Sequence, residues 1–292
     1  MSRDIQNLAI LFVILAGLIF GAVVLSKSPR DDRDWKEHFA SIAAFRETAP
    51  DHYSLAHLRD YQFQADGGAA PAWRAVELDG TDIEEMWFFI EPFPDNPLFA
   101  HSFLSFVFAD DTGARRTISV SIEARMEKNE SYSPFAGVLR EYELMYVWST
   151  ERDILTRIAV GLDHTVYAYR LTLDRDQMRR LFAYFVRRTN DLAERPRFYN
   201  TLHSNCTNEL AKAVNEAFPK ALPWNRSWVF TGRSAAWLYD LGFIADSEGG
   251  TFRTLTDRSD IRDAVSAHAT SANFSDAWRS SFRVGASLQK TN

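Results

Sequence analysis

Apolar positions along the chain fall into three regimes. From 8 to 25 every residue is apolar or Gly. Between about 74 and 170, short apolar runs, most alternating with polar positions, are separated by turn signals such as Asp110-Asp111-Thr112-Gly113. Runs at 86–90, 103–108, 118–122, 142–148 and 166–169 therefore predict strands. From Asp174 onward the period becomes helical. Met178, Leu181, Phe182, Phe185 and Val186 stand at i, i+3, i+4, i+7 and i+8, a buried stripe on an amphipathic helix. A second helix is expected from about Cys206 and a third from about Ser234. Strands followed by helices predict an α+β domain rather than a strictly alternating parallel sheet.

The remaining segments carry weaker signals. The apolar run 8–25 has 18 residues, which at a helical rise reach roughly 27 Å, close to the hydrocarbon thickness of a bilayer. A cleavable signal peptide is the competing reading. Ala-Val-Val-Leu-Ser-Lys after Gly21 is a poor cleavage site, so residues 1–28 read as an uncleaved membrane anchor. Arg3 precedes this segment and Lys27, Arg30 and Arg33 follow it, which taken alone would hold the following domain in the cytoplasm. Residues 29–57 read as a juxtamembrane helical linker, with Asp34 as cap and Trp35, Phe39 and Ile42 at helical spacing. Residues 66–72 form a Gly/Ala/Pro turn region. Arg175, Arg179, Arg180, Arg187 and Arg188 surround the stripe after Asp174, either as a solvated basic face or as a face turned toward anionic headgroups. The last stretch, 261–292, reads as a polar tail.

Composition narrows the function classes. A net charge of −6 lacks the basic footprint of a nucleic-acid binder. The single cysteine excludes an intrachain disulfide, and no Cys/His cluster has zinc spacing, so neither metal nor cofactor is expected. There is no G-x-G-x-x-G, P-loop, H-E-x-x-H, G-x-S-x-G or C-x-x-C.

Two segments carry chemistry. Asn205 is a good N-cap for a helix striped by Leu210, Val214 and Phe218, which places Cys206 in its first turn. There the helix dipole and unpaired N–H groups favour a thiolate and could hold an oxyanion. The competing reading is a small buried apolar residue, the common fate of a lone cysteine. The second segment is Ala100-His101-Ser102-Phe103-Leu104-Ser105-Phe106. If Asp110 to Ala114 closes a hairpin, His101 faces Glu123 on the polar face of the next strand. A carboxylate there would fix the imidazole tautomer and stabilise its cation. His203 lies three residues before Cys206 but has no rigid strand behind it, and His164 reads as a solvated loop residue.

With these motifs in order, the chain resembles the Lnb-type N-terminal periplasmic domain family of bacteria. The resemblance rests on Ala100–Phe106, Ser121-Ile122-Glu123-Ala124-Arg125, Tyr142-Glu143-Leu144-Met145-Tyr146-Val147 with Glu151-Arg152-Asp153, and Tyr199-Asn200 with Asn205-Cys206-Thr207. It runs from about Leu58 to about Asp260. It implies a papain-like, permuted NlpC-type thiol domain over 58–260, an antiparallel sheet with packed helices, in which Cys206 is the nucleophile, His101 the base and Glu123 the orienting acid. Tyr199, Asn200 and Asn205 match positions near the thiol, as transition-state donors or loop supports. Glu151, Arg152 and Asp153 read as a structural turn with ion pairs.

The resemblance also implies a periplasmic domain held at the inner membrane by one span. It implies an acyltransferase acting through a thioester on lipoprotein N-termini or related lipid and amine substrates. Family enzymes of that kind continue into several membrane spans, and no second apolar run of that length follows here, which leaves room for a membrane-protein partner. A cysteine amidase or peptidase acting on cell-wall peptides, and a non-catalytic partner that retains the fold, are the alternatives.

Overall fold

The computed structural model describes residues 3–288 other than 65, 67, 219, 220 and 247. Its strands are β1 (Ala44–Ala49), β2 (His52–Arg59), β3 (Gln62–Phe63), β4 (Ala69–Ala70), β5 (Trp73–Asp79), β6 (Ile83–Pro92), β7 (Ala100–Ala109), β8 (Arg115–Arg125), β9 (Glu143–Thr150) and β10 (Tyr167–Arg170). The helices are α1 (Arg3–Ser26), α2 (Pro134–Val138), α3 (Glu151–Thr156), α4 (Arg175–Glu194), α5 (Cys206–Ala217), α6 (Ser234–Asp240), α7 (Phe252–Asp257), α8 (Arg262–Ala267) and α9 (Phe274–Leu288). One sheet runs β1-β2-β9-β8-β7-β6-β10, with β5 paired to β2. The class is α+β, as the pattern requires. The sheet is mixed rather than wholly antiparallel, because β2 meets β9 in parallel at Arg59 opposite Ser149.

The β7–β8 hairpin has the register that its loop parity demands, with Phe103 opposite Ser121 and Leu104 opposite Val120. The side-chain period of two then sorts β7 between two layers. Leu104, Phe106 and Phe108 pack with Phe182 and Phe185 of α4 and Leu210 of α5. Phe103 and Val107 pack with Leu155 of α3, Val265 of α8 and Trp278 of α9. The face carrying His101 is therefore an apolar, helix-covered face, not the polar one expected. Ser105 and Ser119 on that face are buried and satisfy each other across the strands at 2.7 Å.

Two segments differ from expectation. Residues 29–57 are not a helical linker. They give one short 3₁₀ turn, Glu37–Phe39, and the hairpin β1–β2. Asp51 takes φ 62° between these strands, a turn conformation that Asp tolerates. Phe45, Tyr53 and Leu55 are buried in the larger core, so the sheet begins well before residue 58. Trp35 and Phe39 do not line a helix either. They pack as a small separate cluster with Met145 and Val147 of β9, and the Arg125 guanidinium lies 4.1 Å from the Trp35 ring centre.

The polar tail is also overturned. Ile261, Val265, Phe274 and Trp278 are buried, and Arg279 forms a buried two-point ion pair with Glu151. Burying rings of this size contributes on the order of 2–3 kcal/mol each. Residues 289–292 lie outside the described residues. Residue 67 of the expected turn region does as well, and the described part of that region closes the β3–β4 pair.

α1 presents exposed apolar side chains from Ile10 to Leu25. Among the described residues no helix is long and apolar enough to cross a membrane, and the side chains of Leu8 and Ala9, the start of the apolar run, fall outside that description. The end of α1 is tied to the segment after α2. Lys27 Nζ pairs with Glu141 at 2.5 Å and Arg140 donates to Leu25 O.

Candidate active site

The site lies where β7 begins and β8 ends, beneath the N-terminus of α5. Asn205 caps α5, accepting from Asn208 N at 2.8 Å, while its amide donates to Thr201 O and Trp228 O. These three bonds fix the first turn and place Cys206 at its first position. Cys206 is buried, with Sγ 3.8 Å from Ala100 O. Cys206 N and Thr207 N belong to the first turn, where the helix itself supplies no acceptor. They are the donors available to an oxyanion.

Three residues from two adjacent strands build the base. His101 Nε2 lies 2.7 Å from Ser121 Oγ and 3.2 Å from Glu123 Oε1. Ser121 Oγ–H donates to Glu123 Oε1 at 2.6 Å, so the hydroxyl oxygen is free to accept from Nε2–H. The Ser121 hydroxyl thus sits between imidazole and carboxylate. With Nε2 committed, Nδ1 is the ring nitrogen left for the thiol.

Electrostatics follow this geometry. Burial opposes charge on His101, but the Glu123 carboxylate and the Cys206 sulfur overcome it and raise the imidazole well above its ordinary value. Burial likewise pushes the Cys206 thiol up, yet the hydrogen bond and charge of His101 bring it below its ordinary value. Burial acts against Glu123 too, and His101 holds it far below the usual carboxylate range. All three shifts favour a thiolate–imidazolium pair backed by a carboxylate.

A cleft of about 200 Å³ opens over the thiol. Phe39, Phe93, Phe99, Ile122, Met126 and Val229 give it apolar walls. The far wall carries a second imidazole. His164 Nδ1 donates to the buried Glu91 at 2.6 Å. His164 is thus a paired cleft residue rather than a solvated loop residue.

The Lnb N-terminal periplasmic domain family matches residues 69–231, more than half of the chain, with His101, Ser121, Glu123, His164 and Cys206 inside the match. The chain belongs to the Lnb N-terminal periplasmic domain family. No curated protein and no solved structure matches it. The family match begins at β4, so β1, β2 and the helices from α6 onward are flanking structure on this Lnb domain.

Within the Lnb domain the expected residues divide into three groups. His101, Glu123 and Cys206 converge. Tyr199 lines the cleft, its hydroxyl 3.3 Å from that of Tyr132, and burial raises it well above its ordinary value. Asn205 lines the cleft as well, but its amide is consumed, the oxygen by capping α5 and the NH2 by donating to Thr201 O and Trp228 O. Asn200 does not reach the cleft. Its side chain accepts from Leu202 N in the preceding turn, which makes it a loop support. His203 is exposed and outside the cleft. Glu151 and Asp153 pair with Arg279 and Arg59 as expected, but the three residues open α3 rather than form a turn, and Arg152 donates to Ser271 O instead of joining an ion pair.

Sequence reasoning missed Ser121, Glu91, Tyr132 and Arg157. Glu91 was within reach, because it stands opposite His101 in the β6–β7 pairing. Loop parity across residues 93–99, of the kind that registers β7 with β8, puts Glu91 opposite His101. Arg157 and Tyr132 come from an irregular turn and a loop, and no period announces them.

Proposed function

We propose that the chain is a membrane-anchored Cys–His acyltransferase of the periplasm, with α1 as its anchor and a papain-like site in permuted order. The observation that carries this reading is the thiol of Cys206 within an apolar cleft, coupled to His101, Ser121 and Glu123. The Cys206 thiolate attacks the carbonyl of an acyl ester. The S–C bond forms, the negative oxygen is met by the first-turn N–H groups, and the ester C–O bond breaks. Imidazolium His101 gives its proton to the leaving alkoxide. Neutral His101 then takes a proton from an incoming amine, whose nitrogen bonds the acyl carbon as the C–S bond breaks. Water in place of the amine would make the protein a hydrolase. Lipoprotein N-termini and related lipid amines are the acceptors proposed. The apolar walls favour an acyl chain over a cell-wall peptide as the group held at the thiol.

Trapping the thioester tests this reading. The full chain in detergent is incubated with 4-nitrophenyl octanoate and its intact mass measured. An octanoyl adduct that is released by neutral hydroxylamine and absent in Cys206→Ala is expected. A parent chain that never acquires the adduct, with the cysteine accessible to alkylation, would sink the proposal.

A further inference from the structure

Arg157 is the residue of the cleft that the thiol chemistry does not use. It opens a five-residue π-helical turn, Arg157–Gly161, directly after α3. Such turns are rare and are frequent at functional sites. His164 follows closely, its N–H held by Ile158 O at 3.0 Å. Both side chains line the cleft that holds Cys206. Among the described residues the Arg157 guanidinium has no ion pair and no hydrogen bond. Elsewhere in this protein, buried or half-buried arginines are matched: Arg59 with Asp153, Arg279 with Glu151, and Arg125 with Asp31.

The other charges facing the cleft pair off. His101 faces Glu123, and His164 faces Glu91. His38, also influenced by Arg157, is held neutral by burial, down to about 3. A half-buried guanidinium with all five donors uncommitted, beside an imidazole whose Nε2 is also free, is an incomplete oxyanion site.

We propose that Arg157 and His164 form a subsite for an oxyanion on the acyl substrate, and that this oxyanion is a lipid phosphodiester. This rests on the acyltransfer reading, because it assigns the part of the substrate that lies beyond the acyl group. Two observations favour a lipid over a peptide carboxylate. The cleft that Cys206 and Arg157 share is lined largely by apolar side chains, including Phe93, Ile122 and Leu162. The apolar helix α1 also ends against the segment following α2, and α2 is joined to the cleft through Thr201, which donates to Pro134 O at 2.6 Å. A bilayer around α1 would therefore lie beside the cleft.

Calorimetric titration of the full chain in dodecyl maltoside, a detergent without phosphate, tests the subsite without needing a reactive thiol. The probes are hexyl methyl phosphate, a soluble phosphodiester with a short apolar tail, and its comparators hexanoate and neutral hexyl acetate. The parent is expected to bind the phosphodiester at least about tenfold more tightly than the neutral ester, the scale of one charge-assisted contact. Arg157→Gln and His164→Gln should each remove most of that preference, and Arg157→Gln should do so while leaving the rate of iodoacetamide labelling at Cys206 unchanged, which shows that this variant is folded. A preference that survives Arg157→Gln overturns the subsite. Tighter binding of hexanoate than of the phosphodiester overturns the lipid assignment. Slow labelling in the parent together with normal phosphodiester binding would count against the thiolate and leave the subsite standing.

Discussion

His101 stands between two carboxylates. Glu91 is its neighbour on β6 and Glu123 lies across from it on β8, yet the two have different fates. Glu123 turns to His101 through Ser121. Glu91 is taken by His164 from the far wall, in a contact 2.6 Å long. A carboxylate beside a histidine therefore does not by itself become its partner. The second imidazole removes Glu91 from competition, so His101 has one acidic partner, on the side away from the thiol. A second carboxylate bonded to His101 would pull the ring out of line with Cys206.

Substitutions on the two sides should separate them. The largest effect is expected from Glu123→Gln. Without the carboxylate, the imidazolium loses its main support, the thiol rises, and alkylation of Cys206 at pH 6 should slow by roughly tenfold, the equivalent of about one pH unit in the thiol midpoint. Ser121→Ala leaves the 3.2 Å contact in place and should slow labelling by only about two- to threefold, the loss of one weak hydrogen bond. Glu91→Gln should leave the labelling rate within about twofold, since its partner is His164. A Glu91→Gln effect as large as that of Glu123→Gln would erase the distinction between the two carboxylates.

Stability against pH sharpens the same contrast. Glu123 is depressed in the folded state, so its contribution is fully present above the ordinary carboxylate value of about 4.3 and is lost as pH falls toward its folded value. His101 is raised, so its contribution is present below about 6.5 and is lost as pH rises through its folded value. Thermal melts of Glu123→Gln should show a flatter acid limb than the parent, whereas Cys206→Ala should keep much of it. An unchanged acid limb in Glu123→Gln would mean that the carboxylate is not held by the imidazole.

How much of this was legible depended on periodicity. α4 was readable because its apolar stripe is regular and because Asp174 and Gln177 form a capping box. Asn205 and Cys206 were readable for the same local reason, a cap followed by a stripe. The β7–β8 register followed from the parity of one short loop. β1 escaped because only Phe45 of its six residues is buried, so period-two alternation is nearly absent. α9 escaped because most of the apolar partners of Phe274 and Trp278 lie more than a hundred residues earlier, on β6, β7 and α3. Arg157 and Tyr132 are set by tertiary packing of irregular backbone, where no local rule applies.

The central claim is a thiolate at Cys206 sustained by His101, and the pH dependence of Cys206 alkylation tests it most directly. The full chain carries a single cysteine, so the label has one address. The account predicts rapid labelling by iodoacetamide well below pH 7 in the parent, with the midpoint returning to about 8.5, the ordinary thiol value, in His101→Ala. A parent midpoint near that ordinary value that His101→Ala does not move, or labelling that appears only after denaturation, would contradict it and leave Cys206 as a buried structural residue.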